Sequence, residues 1–215
     1  MAHMNIHQFQ IGRLLNFTYL IISKNEALVI DPQQDLSPWW NFLEQSKAKL
    51  TCILLTHTHY DHVPGVQPIC EKIKVPIYLH QADAFRLENW PSNIKALFRF
   101  VTDGEIIEVG HAKVAVIHTP GHSAGECCYF IQENDQTHLF TGDTIFVGNV
   151  GRTDLETGST EELFQTIQQL KKLPLQTLIY PGHNYGKTPT TTLERERKES
   201  EAFHCKTVQE LDALP

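Results

Sequence analysis

Short apolar runs broken by polar turn signals recur along the chain. Phe17 to Ser23, Ala27 to Ile30 and Thr51 to Thr56 are rich in β-branched and aromatic residues and are predicted as strands, the second closed by Asp31-Pro32. Further strands are expected at Ile77 to Leu79, Glu105 to Val109, Lys113 to His118, Glu126 to Gln132, Thr137 to Thr141 and Thr177 to Tyr180. Helices are expected between and after them. Ser37-Pro38 reads as an N-cap followed by proline at the first helical position, opening a helix to about Lys47. Val66 to Lys74 and Ala82 to Glu88 are helical in pattern, and Ser159-Thr160-Glu161-Glu162 is a capping box for a helix to about Lys172. The same signature recurs at Thr191 to Glu194, where Glu194/Lys198, Arg195/Glu199 and Arg197/Glu201 form opposite-charge pairs that predict a solvated helix face. Strands with helices between and after them, without strict βαβα alternation, predict an α/β fold of two sheets covered by helices.

Composition narrows this picture. The chain has 215 residues, 41% of them hydrophobic, with no Pro/Gly/Ser-rich linker and no internal repeat, so one domain over residues 4–215 with a short helical tail is expected. A second methionine at Met4 marks residues 1–3 as a vector remnant. The longest apolar runs are strand-sized, which argues against a membrane partner. A formal charge of -7 without a Lys/Arg run argues against nucleic acid. The five cysteines show no CxxC spacing and lie mostly in apolar stretches, so they read as reduced core residues of a cytoplasmic protein. Oligomeric state leaves no mark in the sequence.

The 12 histidines carry the chemistry. Thr56-His57-Thr58-His59-Tyr60-Asp61-His62 follows a strand directly, and positions i and i+2 of extended chain face one side, so His57 and His59 can hold one cation while Asp61 and His62 turn toward a second. One histidine in a loop is an ordinary hydrogen-bonding residue; three with an aspartate across 57–62 form a metal-binding segment. His122, Asp143 and His183 each stand just past a predicted strand, beside a glycine that permits a tight turn. Imidazole and carboxylate without thiolate suit zinc or iron better than calcium or magnesium. His80, His111, His118, His138 and His204 have no motif around them and are expected to play no part in the site.

HTHYDH, TPGHS, TGDT and PGH, in this order, resemble the metallo-β-lactamase superfamily; GDTIFVGNVGRTDL and YPGHNYG are similar to its glyoxalase II (hydroxyacylglutathione hydrolase) and persulfide dioxygenase branches. The resemblance implies a four-layer αββα sandwich with a metal site at one edge of the paired sheets. It implies that His57, His59 and His122 bind one metal, that Asp61, His62 and His183 bind a second, and that Asp143 bridges them. The expected cofactors are two divalent cations, zinc first, with iron or a mixed pair as alternatives. Asp61 and Asp143 are the expected catalytic carboxylates: with one hydroxide they leave about one positive charge on the pair to stabilise an oxyanion. By the same resemblance Arg152 and Tyr185 hold the substrate, a small-molecule thioester linked to glutathione or a related thiol, which a metal-bound hydroxide would hydrolyse. The alternative for Arg152 is an ion pair with Asp154 or another loop carboxylate. The alternative function is a persulfide dioxygenase with one iron on His57, His122 and Asp143. The tail after His183 is too short for the helical domain that completes the glutathione site of glyoxalase II, which implies weak glutathione binding. The run from Gly148 to Arg152 lacks the Lys-Ser/Thr end of a phosphate loop.

Overall fold

A computed structural model describes residues 4–214, and the expected vector remnant at 1–3 lies outside them. Six strands form the first sheet in sequential order: β1 (Asn5–Ile11), β2 (Asn16–Ser23), β3 (Glu26–Ile30), β4 (Lys49–Leu54), β5 (Ile77–His80) and β6 (Phe98–Val101). The second sheet runs from β7 (Ile106–Val109) through β8 (Ala112–His118), β9 (Cys127–Glu133), β10 (Gln136–Gly142) and β11 (Leu178–Pro181) to β12 (Thr191–Thr192). Helices α1 (Ser37–Ser46), α2 (Val66–Lys72) and α3 (Ser92–Lys95) belong to the first half; α4 (Thr160–Leu170), α5 (Leu193–Glu199), α6 (Glu201–His204) and α7 (Val208–Asp212) belong to the second.

Three apolar layers follow from strand alternation. Phe17, Tyr19 and Ile21 of β2, with Leu28 and Ile30 of β3, face Val114, Val116, Cys127, Tyr129 and Phe140 of the other sheet. The alternate residues Leu20, Ile22, Ala27 and Val29 pack instead on Trp39, Leu43, Val66 and Ile69 of α1 and α2. On the far side, Cys128, Leu139 and Ile179 meet Leu163, Ile167 and Leu170 of α4, with Leu193 and Phe203. Central strands are thus covered on both faces, which is why they read as unbroken apolar runs. The architecture is the expected αββα sandwich. No helix among the described residues is long and apolar enough to cross a membrane.

Several local expectations shift. Strands β1, β6 and β12 were not expected: each is a sheet edge, so its run of buried residues is short or broken. Ser37 is the first helical residue, not the cap; Asp35 Oδ1 instead accepts from its N–H at 3.0 Å. Ser159 caps α4 as expected, accepting from Glu162 N at 3.2 Å, whereas the cap of α5 is Thr192, accepting from Arg195 N at 3.2 Å. The stretch 81–87 is a 3-10 helix. The last charged helix breaks at Ser200, which is buried and extended. Of its three expected ion pairs Arg195–Glu199 forms, at 2.9 Å, and Glu196 is buried with its carboxylate accepting from Gly148 N at 2.8 Å. That face is therefore only partly solvated, and a carboxylate occupies the glycine loop where a phosphate would have to sit.

All five cysteines are free and buried, and burial lifts the Cys52 and Cys128 thiols to about 12. Cys127 and Cys128 point into opposite layers, as adjacent strand residues must. A thiol reagent is accordingly expected to label no cysteine of the folded protein within minutes and all of them in denaturant. Rapid labelling of any one in buffer, read by mass spectrometry, would contradict this packing.

Candidate metal centre

The strands β3, β4, β8, β10 and β11 all end at the same edge of the sandwich. β3 and β4 are parallel, β10 and β11 are parallel, and β8 matches β10 because each pairs antiparallel with β9. Asp31, the segment 57–62, His122, Asp143 and His183 are the residues that follow these ends. Main-chain bonds then join the two sheets across the edge: Cys127 N to Thr56 O at 2.8 Å, Phe17 N to Gly182 O at 2.7 Å and Asn184 N to Leu15 O at 2.9 Å. Two glycines make room. Gly142 turns with φ +49°, and a Cβ there would strike Glu126 and Thr56; a Cβ at Gly182 would strike the Asp143 carboxylate and the His62 ring.

The seven expected metal ligands converge. Their ligand atoms form three overlapping sets, His57/His59/His122, His57/His62/Asp143 and Asp61/His62/His183, with all atoms of a set within 4.8 Å of one another. His59 Nδ1 lies 3.0 Å from His122 Nε2, and His62 Nε2 lies 3.1 Å from His183 Nε2. Asp143 faces both sides: Oδ1 is 3.4 Å from His62 Nε2, while Oδ2 is 3.6 Å from His122 Nε2 and 3.4 Å from His183 Nε2. Asp61 Oδ2 stands 3.4 Å from His183 Nε2. Donor atoms about 2.1 Å from a shared zinc stand roughly 3.0 to 3.4 Å apart along the edges of its coordination shell. The observed spacings, 3.0 to 3.6 Å, lie close to that range, and the residues fit the cations that the sequence implies.

Proton placement makes the same point. His62 Nδ1 faces Asp31 Oδ2 at 3.0 Å, His122 Nδ1 faces Arg152 O at 2.7 Å and His183 Nδ1 faces Leu14 O at 2.8 Å. Each of these oxygens only accepts, so each Nδ1 carries a proton and each Nε2 is the nitrogen turned to the cluster, free to bind a cation once any proton there is displaced. His57 Nδ1 lies 3.1 Å from Thr56 Oγ1, whose own proton goes to Asp31 Oδ2 at 2.6 Å. His57 is thereby fixed in the same tautomer, and its Nε2 is buried without a hydrogen-bond partner, as is Asp143 Oδ1. Outer groups that hold imidazoles in this way are the usual support of a metal site.

The charge balance points to a cation as well. Burial disfavours a charge on His183, but the Asp143 and Asp61 carboxylates facing it outweigh this and lift it to about 10. Burial would raise Asp61 and Asp143, yet the imidazoles of His183 and His62 hold both below the ordinary carboxylate range. His57 and His59 move the other way: burial, with the neighbouring imidazoles, pushes His57 far down and His59 to about 4. The cluster thus has a carboxylate side that demands positive charge and an imidazole side that refuses protons. Divalent cations satisfy both, displacing protons from the first.

The two expected substrate residues are nearby but differently disposed. Arg152 projects from the rim, its side chain 64% exposed, and donates through Nε and Nη2 to the two oxygens of Asp154, both at 2.6 Å. This is the ion pair weighed as its alternative. Its main-chain carbonyl is what holds His122. Tyr185 stacks on His183 with centroids 4.6 Å apart and planes at 11°. Among the described residues, none of His80, His111, His118, His138 and His204 joins a ligand set.

Residues missed in the sequence hold the ligands in place. Asp31 accepts from Thr56 N at 2.8 Å besides Thr56 Oγ1 and His62. Asn16 Nδ2 donates to Asp61 Oδ2 at 2.9 Å, and Gln33 Nε2 to the Asp61 carbonyl. Glu126 accepts from Asp143 N at 2.9 Å and lies 3.4 Å from His57 Nδ1. Asp83 accepts from Thr58 N, Ser123 Oγ and Gly125 N, so it braces both histidine loops. Asp31 shares the signal that marks Asp143, an aspartate just past a strand end. Glu126 and Asp83 have no such signal, since only tertiary burial makes them special.

The chain matches the profile described as "Metallo-beta-lactamase superfamily" over residues 11–183. It is 34% identical over 181 residues to a probable polyketide biosynthesis zinc-dependent hydrolase, PksB, of Bacillus subtilis, covering 81% of this chain and 75% of that one. It is 33% identical over 184 residues to a hydroxyacylglutathione hydrolase of Pelagibacter ubique, covering 84% and 72%. The crystal structure of ETHE1 from Myxococcus xanthus superposes with a TM-score of 0.82 at 25% identity, covering 98% of this chain and 92% of that one.

Proposed function

The chain belongs to the metallo-beta-lactamase superfamily, and from that premise we propose that it is a metal-dependent hydrolase of thioesters, a glutathione thioester such as S-D-lactoylglutathione being the first substrate to test. The observation that carries this reading is the convergence of the fixed imidazole nitrogens and Asp61 around Asp143. Likeness to a hydroxyacylglutathione hydrolase supports it further.

His57, His59 and His122 would hold one divalent cation and Asp61, His62 and His183 a second, with Asp143 between them. Bound there, the cations supply Lewis acidity and bring the pKa of water toward about 7. The chain's own groups do the rest. Asp31, Thr56, Arg152 O and Leu14 O hold the Nδ1 sides of His62, His57, His122 and His183 and so fix the aim of each Nε2. Asn16 and Gln33 hold Asp61 through its carboxylate and its carbonyl. Tyr185 and Phe146 cover one side of the cluster and restrict water there; their rings meet at 5.4 Å. A departing thiolate, whose thiol has a pKa near 8.5, needs no strong general acid.

The test is metal quantitation on purified protein together with thiol release from acyl thioesters. About two equivalents of metal and metal-dependent thiol release are the expected result. The likeness to ETHE1 keeps a second reading open, a mononuclear iron enzyme of the persulfide dioxygenase branch. One iron per chain, oxygen uptake with glutathione persulfide and no thiol release would transfer the assignment to it.

Arg152 can reach a substrate carboxylate only by leaving Asp154. Exposed pairs of this kind are worth about 0 to 1 kcal/mol, so the exchange contributes little net affinity. Arg152→Ala is therefore expected to raise KM for a glutathione thioester by no more than roughly tenfold and to leave kcat within about twofold, since such a contact serves ground and transition states alike. A kcat loss of two decades with unchanged KM would show that Arg152 acts in the chemistry instead.

A further inference from the structure

The cluster opens into a cavity of about 670 Å³. Buried Phe146 lines it together with Leu14, Val147, Leu155 and Tyr185. Leu14, Leu155 and Tyr185 are 41%, 39% and 55% exposed. Large apolar side chains left in water at the mouth of one site gain most from a ligand that covers them. Both guanidinium groups of the same cavity already face a carboxylate of this chain. Besides Arg152 on Asp154, the other guanidinium is Arg86, whose Nη1 lies 3.0 Å from Asp83 Oδ1 and whose Nη2 donates to Glu156 O and Thr157 Oγ1 at 2.8 and 3.1 Å. Glu156 also lines the cavity. The cavity thus offers an anionic group no unpaired guanidinium, while the apolar or aromatic side chains of Leu14, Phe146, Val147, Leu155 and Tyr185 line it beside the cluster.

We propose that this cavity receives an aliphatic acyl chain of several carbons, so that the enzyme selects its substrate by the acyl group more than by the thiol that carries it. The inference rests on the thioester reading for the orientation of the substrate at the cluster; the apolar site itself does not depend on turnover. A short hydroxyacyl group would leave the walls wet and place its hydroxyl against Phe146 and Val147. A hexanoyl or octanoyl group would dry the walls instead, each fully buried methylene strengthening binding by about three- to fourfold.

The experiment separates binding from hydrolysis. Binding of the non-hydrolysable thioethers S-methyl- and S-hexylglutathione to the metal-loaded protein is measured by calorimetry. The hydrolysis of acetyl, butanoyl, hexanoyl and lactoyl thioesters is then compared on two carriers, glutathione and the neutral N-acetylcysteamine. The hexyl ligand is expected to bind at least about thirtyfold more tightly than the methyl ligand. kcat/KM is expected to rise with chain length on both carriers and to favour hexanoyl over lactoyl. Leu155→Asp, a change at an exposed loop position, is expected to cut the hexyl-to-methyl affinity ratio severalfold. Equal affinity for the two thioethers overturns the proposal whatever is hydrolysed, as does a lactoyl preference on glutathione with no dependence on chain length. Tight hexyl binding with no thioester hydrolysed would leave the apolar site standing and remove the hydrolase reading.

Discussion

Asp143→Ala is expected to abolish the two-metal centre and to lower kcat/KM by on the order of 10³-fold or more. Asp143 lies between the two halves of the cluster, with His122 of one set and His62 and His183 of the other at 3.4 to 3.6 Å. Its removal takes one unit of negative charge from between two divalent cations and leaves their repulsion uncompensated, and several kcal/mol of lost charge stabilisation correspond to about three decades in rate. Asp143→Asn keeps the shape and one acceptor oxygen, so it should retain more metal than the alanine variant but less than the parent. Elemental analysis after gel filtration, alongside thioester turnover, decides the matter. Near-normal metal content and turnover in Asp143→Ala would show that the carboxylate does not join the two sites.

Asp31→Ala is expected to have the largest effect on stability among single changes around the site, although Asp31 belongs to none of the ligand sets. The side chain is buried and accepts from Thr56 N, Thr56 Oγ1 and His62 Nδ1 at 2.8, 2.6 and 3.0 Å. Alanine leaves three buried donors without a partner, at roughly 1 to 3 kcal/mol each before relaxation, and a net loss of about 3 to 5 kcal/mol is expected. For a chain of this size that corresponds to a fall in Tm of about 10 °C or more. Asp31 also sits at φ +47°, which alanine tolerates poorly, so Asp31→Asn is the cleaner control: asparagine accepts that backbone and keeps one acceptor. The loss of the His62 contact should weaken the cation held by Asp61, His62 and His183 by about 10- to 100-fold, read by chelator competition. A Tm within 2 °C of the parent for Asp31→Ala, with unchanged metal retention, would mean that the bonds to Thr56 and His62 are dispensable.

The sequence by itself determined the central strands and the candidate ligand set. Both rest on local pattern: strands such as β2 and β4 must be apolar on both faces when helices cover one side and a second sheet the other, and a ligand placed just past a strand end keeps its type and its spacing wherever the strand goes. His57, His59, Asp61 and His62 were legible because they share one short segment, and His122, Asp143 and His183 because each follows a strand beside a glycine. Edge strands β1, β6 and β12 were not legible, since one-sided or partial burial leaves too weak an alternation. The tertiary structure alone decided what surrounds the ligands. Asp83 and Glu126 are single carboxylates in unremarkable stretches, and they matter because cross-sheet bonds such as Cys127 N to Thr56 O bring residues distant in sequence into one dry space. It also decided the fate of Arg152, whose partner is two residues away and whose main-chain carbonyl, rather than its charge, is what reaches the cluster. Residue type fixes which atoms can bind a cation, but the aim of His62, His122 and His183 depends on acceptors from segments distant in sequence, and no linear pattern encodes those.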